Sequence, residues 1–231
     1  MDTKDIIHRL SVLSGKYHAV QKELNEKYHF GQLRDVRIDV FRQCVIVIDS
    51  TYIIFLVRLD HLFDDSWWTS LMKRNLVSKQ MTEEQRSIFI HAFDTFVDSS
   101  YITKLFVSVE STFRSFYSST ISNKIPFNFH KVYEDLLRKF NLDNYIELLR
   151  LASYIRNSFH NNGVHTLDDV DVVWRNVTYR FTKGKPIELG DVWHTFTVIT
   201  TDILEMLEKL VKSDAILQKQ EIIDISYDNL F

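Results

Sequence analysis

The chain has 231 residues, of which 45% are hydrophobic and 13% aromatic, with five glycines, two prolines and one cysteine. So few glycines and prolines argue against a sandwich or barrel, which needs many tight turns, and favour long helices. A net charge of −3 excludes a general phosphate-binding surface, so any nucleic acid must meet a local basic site, and one cysteine excludes a disulfide framework.

Four helices are predicted in the first half of the chain. Apolar residues recur at three- and four-residue steps over 3–28, and a second pattern over 33–63 is apolar nearly all round in its middle. A short helix follows in the sequence DDSWWTSLMK. Thr82 and Gln85 form a capping box that begins the fourth helix, which continues to about Tyr117. Serine and threonine in DSSYIT compete for backbone bonds and can interrupt it.

The second half holds three further helices. Two are predicted at 128–140 and 143–161, after a loop rich in serine and asparagine. Asp191 is a suitable N-cap for a last helix to about Lys219. Residues 221–231 are predicted to form a loose tail.

A β-hairpin is predicted at 172–190, where the composition becomes β-branched and aromatic. We predict a strand over 172–181, a turn at the sequence KGKP and a shorter return strand near Ile187. The expected fold is therefore mainly α: one elongated helical bundle over residues 1–231, with a small hairpin inserted before the C-terminal helix.

The sequence predicts a water-soluble cytoplasmic protein without a membrane partner. No signal sequence is visible in MDTKDIIHRL. The most apolar run, from Cys44 to Leu59, contains Asp49 and Arg58, and its sixteen residues are too few to span a bilayer. Cys44 is expected to be a buried, inert thiol.

The candidate site lies in the sequence IRNSFHNNGVH, residues 155–165. On a helix, Arg156 and His160 are four residues apart and lie one above the other, with Asn157 nearby. An imidazole can take the proton from a ribose 2′-hydroxyl or give one to the leaving 5′-oxygen. A guanidinium can hold the scissile phosphate, and Asn157 can orient the imidazole or bind the sugar. These residue types fit metal-independent cleavage of RNA.

A structural interpretation of the same residues stands beside the catalytic one. The sequence Asn161-Asn162-Gly163 is typical of a helix C-terminus, because both residue types tolerate the left-handed conformation. His160 in the last turn favours the helix dipole when protonated, and Arg156 can cap the final carbonyls. On this interpretation the chain is a helical interaction module without activity.

A second pair, Glu110 and Arg114, is also spaced four residues apart on a different helix. Such a pair is often only a surface ion pair. Because its helix is otherwise apolar, the pair can instead be partly buried and face the helix of Arg156. Glu110 and Arg114 are then supporting residues that position Arg156 or Asn157.

The combination of VESTFRSFY with YIRNSFHNNG on consecutive long helices resembles the HEPN superfamily (higher eukaryotes and prokaryotes nucleotide-binding). That resemblance implies a helical bundle, and many members are metal-independent RNases of toxin–antitoxin, abortive-infection and CRISPR-associated systems. It assigns catalytic roles to Arg156, Asn157 and His160. Three residues separate Arg156 from His160, whereas the family motif has four to six. Non-catalytic members serve as binding or dimerisation modules.

The resemblance also implies partners. Members typically act as homodimers with two motifs facing one cleft, and RNA and a protein antitoxin are the other expected partners. No metal and no cofactor are expected, because the sequence has no His-Glu-x-x-His pattern and no phosphate-binding glycine loop.

Two further features of the sequence have alternative interpretations. The hairpin is the most basic local region and can contact an RNA backbone through Arg175, Arg180 and Lys183, or be an ordinary edge protected by charge. Trp67-Trp68 can be a base-stacking platform or a wedge that closes one end of the bundle.

Overall fold

The computed structural model describes residues 2–30, 35–73 and 82–224. The helices in these ranges are α1 Thr3–Tyr28, α2 Val36–His61, α3 Asp65–Lys73, α4 Glu83–Thr120, α5 Phe129–Lys139, α6 Ile146–His160, α7 Val192–Val211 and α8 Asp214–Leu217. One antiparallel hairpin, β1 Val170–Trp174 and β2 Val177–Phe181, precedes α7. The predicted mainly α bundle with a small hairpin is confirmed. The sequence also predicts a break in the helical pattern at Gly31, and that residue lies outside the described ones.

Helix α4 begins where the sequence predicts, and its capping box is present. The Thr82 hydroxyl accepts a hydrogen bond from the Gln85 amide at 3.2 Å, and the Gln85 side chain accepts one from the Thr82 amide at 3.0 Å. The helix is not interrupted near DSSYIT, because Val97, Tyr101 and Leu105 lie on its buried face at helical spacing. Packing along this stripe outweighs the local preference of serine and threonine for turns.

The hairpin turns earlier than the sequence analysis predicts. Strands β1 and β2 pair from Val170 opposite Phe181 to Trp174 opposite Val177. Only Arg175 and Asn176 connect them, with φ of 48° and 63°, the left-handed values that a tight two-residue hairpin turn requires. The KGKP segment is a separate turn after β2, and the predicted return strand near Ile187 is absent from the described residues.

The last predicted helix is split in two. Helix α7 begins at its predicted cap, where Asp191 Oδ1 accepts from the His194 amide at 3.0 Å. It ends at Val211 because Ser213 is extended, and α8 then turns back so that Ile216 is completely buried. The sequence predicts that residues 221–224 belong to a loose tail, but they are held against the start of α2. Ile222 is buried, and its carbonyl accepts from the Val36 amide at 2.9 Å. Residues 225–231 lie outside the described part.

Arg37 joins the start of α2 to the C-terminal segment. Its side chain is 1% exposed and is paired with Asp35, whose side chain is 3% exposed. Its remaining N–H groups donate to the carbonyls of Ile216 at 3.1 Å, Lys219 at 2.8 Å and Gln220 at 3.2 Å. This arginine closes the end of α8 on the N-terminus of α2, so its role is structural.

Helices α1, α2, α4 and α7 pack together in a buried hydrophobic cluster, which continues into α5, α6 and the hairpin. The Tyr17 and Tyr101 hydroxyls both bond to Thr200 on α7, each at 2.8 Å, so these two buried hydroxyls are satisfied. Cys44 is completely buried, and burial raises the pKa of its thiol to about 12. The prediction of a buried thiol is confirmed, and the high pKa makes the reactive thiolate rare.

Helix α2 is longer than the sixteen-residue apolar run within it. At 26 residues, with a mean hydropathy of 1.8 in its most apolar window, it meets the length and composition of a membrane span. Core helices of water-soluble proteins meet the same criteria, and α2 packs against α1 and α4. Ile46, Ile53 and Val57 on its other face are exposed.

Asp98 is a carboxylate enclosed between α2, α4 and α7. Burial raises its pKa to about 7, with Trp193 acting in the opposite direction, Asp94 adding to the rise and Arg58 reducing it. Arg58 is itself held by Asp94 through bonds of 2.7 and 2.8 Å. Asp98 Oδ1 is buried and has no hydrogen-bond partner among the described residues. The folded protein therefore favours the protonated form of this carboxyl.

We expect Arg37→Met to lower the free energy of unfolding by about 3–5 kcal/mol, because it leaves the Asp35 carboxylate buried and unpaired. Urea unfolding followed by circular dichroism measures the change. The double variant Asp35→Asn/Arg37→Met removes both charges and should lose less stability than Arg37→Met alone. Lys22→Ala, at an exposed surface pair, is the control. Unfolding of Arg37→Met at the wild-type urea concentration would contradict this role.

We expect Asp98→Asn to make the protein more stable than the wild type at pH 8 but not at pH 4. In the unfolded chain the carboxyl has a pKa of about 3.9. The raised pKa in the folded protein therefore contributes stability that is complete below about pH 3.9 and is lost as the pH rises through about 7. Urea midpoints at pH 4, 6 and 8 test the difference. Asp60→Asn, at an exposed position on α2, is the control. Parallel pH profiles of wild type and Asp98→Asn would refute the assignment.

Candidate functional site

An open groove of about 990 Å³ lies between α4, α6 and the beginning of α5. Its lining residues include three arginines, Arg114, Arg150 and Arg156, against one carboxylate, Glu110. The aromatic side chains in the lining are Phe106, Phe127, Phe129, Tyr133 and Tyr154. A chain that is acidic as a whole thus carries a local excess of positive charge in this groove.

The helix that carries Arg156 is fixed by its apolar stripe. Leu148, Leu151, Ala152 and Ile155 are all completely buried, as their helical spacing predicts. Arg156 follows the stripe by one residue, so it lies at the margin of the core, where α6 packs against α4. Its side chain is 26% exposed and faces the groove.

Glu110 binds two arginines from two helices. Its Oε1 accepts from Arg114 Nη2 at 2.7 Å and from Arg114 Nε at 3.0 Å, within α4. Its Oε2 accepts from Arg156 Nη2 at 3.3 Å, across to α6. The prediction that the Glu110–Arg114 pair faces the Arg156 helix is confirmed. These side chains are between 21% and 26% exposed, so solvent screens the attraction only in part.

Arg114 also fixes the loop that precedes α5. Its Nη1 donates to the Pro126 carbonyl at 2.9 Å, and its Nη2 donates to the Phe127 carbonyl at 3.0 Å. The guanidinium lies 5.7 Å from the centre of the Phe129 ring. One side chain therefore holds both the carboxylate of the groove and the backbone of its rim.

Arg156 retains hydrogen-bonding capacity. Its Nη1 donates to Asn157 Oδ1 at 2.9 Å, its Nη2 donates to Glu110, and its guanidinium lies 5.2 Å from the centre of the Phe106 ring. These two bonds use two of the five N–H donors of an arginine. Its Nε is buried without a hydrogen-bond partner in the described chain. Donors on the two terminal nitrogens remain for an anion.

The end of α6 is capped by backbone groups. The Ser158 carbonyl accepts from the amides of Asn161 and Gly163 at 2.9 and 2.8 Å, and Asn162 and Gly163 have φ of 55° and 81°. Asn161 Nδ2 donates to the Asn157 carbonyl at 2.8 Å. The side-chain bonds of Arg156 to described residues go to Asn157 and Glu110 instead. The structural interpretation in which Arg156 caps this helix is therefore wrong.

A different histidine lines the groove from the one that the sequence predicts. His160 is the last residue of α6 and is exposed, and it is not among the residues that line the groove. His130, on the first turn of α5, does line the groove; its side chain is 52% exposed and its Nδ1 lies 3.7 Å from Glu134. The sequence gives no signal for His130, because its place in the groove lining depends on how α5 packs against α6.

The predicted basic residues of the hairpin are each paired with a carboxylate. Arg175 donates to the buried Asp202 at 2.5 Å and Arg180 to Asp171 at 3.0 Å, while Lys183 donates to Asp168 at 2.9 Å. Arg175, Arg180 and Lys183 are absent from the groove lining. These pairs fit the interpretation of a charged edge, and Asp202 also accepts from Trp174 Nε1 at 2.7 Å, which fastens the hairpin to α7.

The tryptophan pair has a structural explanation, and the described residues show no metal site. Trp68 is 5% exposed and its indole N–H donates to the Leu62 carbonyl at 3.0 Å, which matches the wedge interpretation. Within the three described ranges, no group of three or more histidine, cysteine, aspartate or glutamate side chains is arranged to hold a metal ion.

No family model matches the sequence, and neither a curated protein nor a solved structure matches it.

We expect Arg114→Ala to release the loop over residues 121–128, because the bonds to two consecutive carbonyls are lost. Trypsin should then cut after the exposed Lys124 faster than in the wild type, as measured by limited proteolysis and mass spectrometry. Arg114→Lys keeps the charge but cannot make the same set of bonds, so it should be intermediate. Arg138→Ala, at an exposed pair with Glu134, is the control. Equal cleavage rates in all four proteins would contradict this role of Arg114.

Proposed function

We propose that the chain is a metal-independent endoribonuclease similar to the HEPN superfamily, and that it binds RNA in the groove between α4 and α6. The observation that supports this most directly is Arg156, a groove-lining guanidinium that Glu110 and Asn157 position and that retains free donors. Arginine geometry suits the two oxygens of a phosphodiester. The excess of arginine over glutamate in the groove also favours an anionic ligand.

In this mechanism Arg156 binds the non-bridging oxygens of the scissile phosphate and stabilises the negative charge that increases in the transition state. The ribose 2′-oxygen attacks phosphorus while an imidazole removes its proton, and the bond from phosphorus to the 5′-oxygen breaks as an imidazolium donates a proton to that oxygen. His160 is the proposed acid–base residue. Asn157, Glu110 and Arg114 are positioning residues, because they act through Arg156 and the loop.

The position of His160 is compatible with a site shared by two protomers. His160 is exposed at the end of α6, one helical turn beyond Arg156, with a spacing that keeps both side chains on one face of the helix. We propose a homodimer in which the two α6 ends face one cleft, so that His160 reaches RNA that Arg156 holds. On the strength of the resemblance, we propose that such an enzyme acts in a toxin–antitoxin or anti-phage system, with a protein antitoxin as partner.

A second candidate function is a non-catalytic RNA- or nucleotide-binding module. It is favoured by the observation that His160 does not line the groove, whereas His130 does. In such a module Arg114, Arg150 and Arg156 bind phosphate and no acid–base group is needed. Cleavage of RNA by the purified protein separates the two candidates.

We expect the wild type to cleave single-stranded RNA in the presence of EDTA, and His160→Ala and Arg156→Ala to lose about 10²- to 10⁴-fold in rate. A denaturing gel of end-labelled RNA measures cleavage, and products should carry a 2′,3′-cyclic phosphate. Sedimentation of the same preparations reports whether the protein is a dimer.

His130→Ala and the exposed His8→Ala, on α1, are the matched controls. Loss of cleavage in His130→Ala but not in His160→Ala would transfer the acid–base role to His130. Binding of RNA without cleavage by the wild type would support the non-catalytic module, and equal cleavage by wild type and Arg156→Ala would refute the enzyme.

A further inference from the structure

Phe127 is a fully exposed aromatic residue at the rim of the groove. Its relative exposure is 99%, the largest among the exposed apolar residues of the described chain. It lines the groove together with Arg114 and Arg156. An aromatic ring in water gains free energy when a flat partner covers it, so this position is suited to a ligand that brings a planar group.

The backbone that carries this ring is held in place. Arg114 binds the carbonyls of Pro126 and Phe127, and Asn128 Oδ1 accepts from the His130 amide at 2.9 Å to cap α5. Phe127 therefore lies between two anchored neighbours, and its ring is exposed although its backbone is fixed. A ring on a fixed backbone loses less conformational entropy on binding than one in a free loop.

The groove provides both contacts that a nucleotide strand needs. The guanidinium groups of Arg114 and Arg156 lie in the same groove as the ring, with Arg150, which is paired with Glu147 at 3.3 Å, as a third cation. Single-stranded nucleic acid is bound by this combination, in which cations follow the backbone and aromatic faces stack on bases. A helical peptide would supply side chains for the ring but no regular series of anions for the arginines.

We propose that Phe127 is a base-stacking residue that makes the groove selective for an unpaired nucleotide whose phosphate lies on Arg156. The proposal rests on the proposed binding of RNA in this groove and is independent of cleavage. In a duplex both faces of each base are covered by neighbouring base pairs, so the Phe127 ring has no free face to contact. The residue therefore determines specificity and takes no part in the reaction.

The test uses a single-stranded 2′-O-methyl oligonucleotide of about eight nucleotides, which cannot be cleaved because its 2′-oxygen is blocked. Fluorescence anisotropy with the full-length protein measures its dissociation constant. We expect Phe127→Ala to weaken binding about tenfold or more and Phe127→Trp to retain it. Phe96→Ala, an exposed phenylalanine on α4 that is not in the groove lining, is the matched control and should bind like the wild type.

An abasic strand of the same length and charge distinguishes stacking from an indirect effect. Wild type and Phe127→Ala should bind that strand equally, because the group that stacks on Phe127 is missing. The wild type should bind the ordinary strand more tightly than a duplex of the same length.

Three outcomes of the binding measurements would overturn the proposal. The first is that Phe127→Ala loses as much affinity for the abasic strand as for the ordinary strand. The second is that Phe127→Ala binds the ordinary strand as tightly as the wild type, and the third is that the wild type binds neither strand. A change in sedimentation of Phe127→Ala would assign the ring to contact between two copies of the chain and overturn it also. Binding that depends on Phe127 in a protein that cleaves no RNA would preserve this proposal while refuting the nuclease.

Discussion

The carboxylate of Glu110 lies between the guanidinium groups of Arg114 and Arg156, and the candidate site depends on this arrangement. One carboxylate oxygen accepts from Arg114 and the other accepts from Arg156. The carboxylate therefore sets both the distance between α4 and α6 and the orientation of the two guanidinium planes. Two positive charges close together would repel each other without the carboxylate. With it, the three groups retain one net positive charge and a fixed geometry, which is the condition for binding an anion at a defined position.

Two arginines of this chain show how the same side chain serves different purposes. Arg37 is buried, and its donors are used by Asp35 and by carbonyls of the C-terminal segment. No ligand can compete for them, so its function is to hold the chain together. Arg156 is partly exposed, lines a groove and has only two partners in the described structure. Its unused donors make it the arginine suited to a ligand.

The groove combines this charge with an aromatic rim whose backbone is held in place. Arg114 connects the two, because it binds Glu110 with one side of its guanidinium and the carbonyls before α5 with the other. A change at Arg114 therefore affects both the phosphate-binding part of the groove and the loop that presents Phe127. The net negative charge of the chain makes this concentration of arginines more selective, since the remainder of the surface does not attract nucleic acid in general.

The sequence by itself determined most of the helices, although not the break between α7 and α8, together with the capping box at Thr82, the buried stripe of α6 and the spacing of Glu110, Arg114 and Arg156, because these follow from local sequence patterns. It misplaced the hairpin turn, because two non-glycine residues, Arg175 and Asn176, adopt positive φ there. Only the tertiary structure decided that Glu110 joins two helices, that Arg37 holds the C-terminal segment, and that His130 and Phe127 line the groove while His160 does not. These contacts join residues distant in the chain, and periodicity along a helix carries no information about which helix packs beside it.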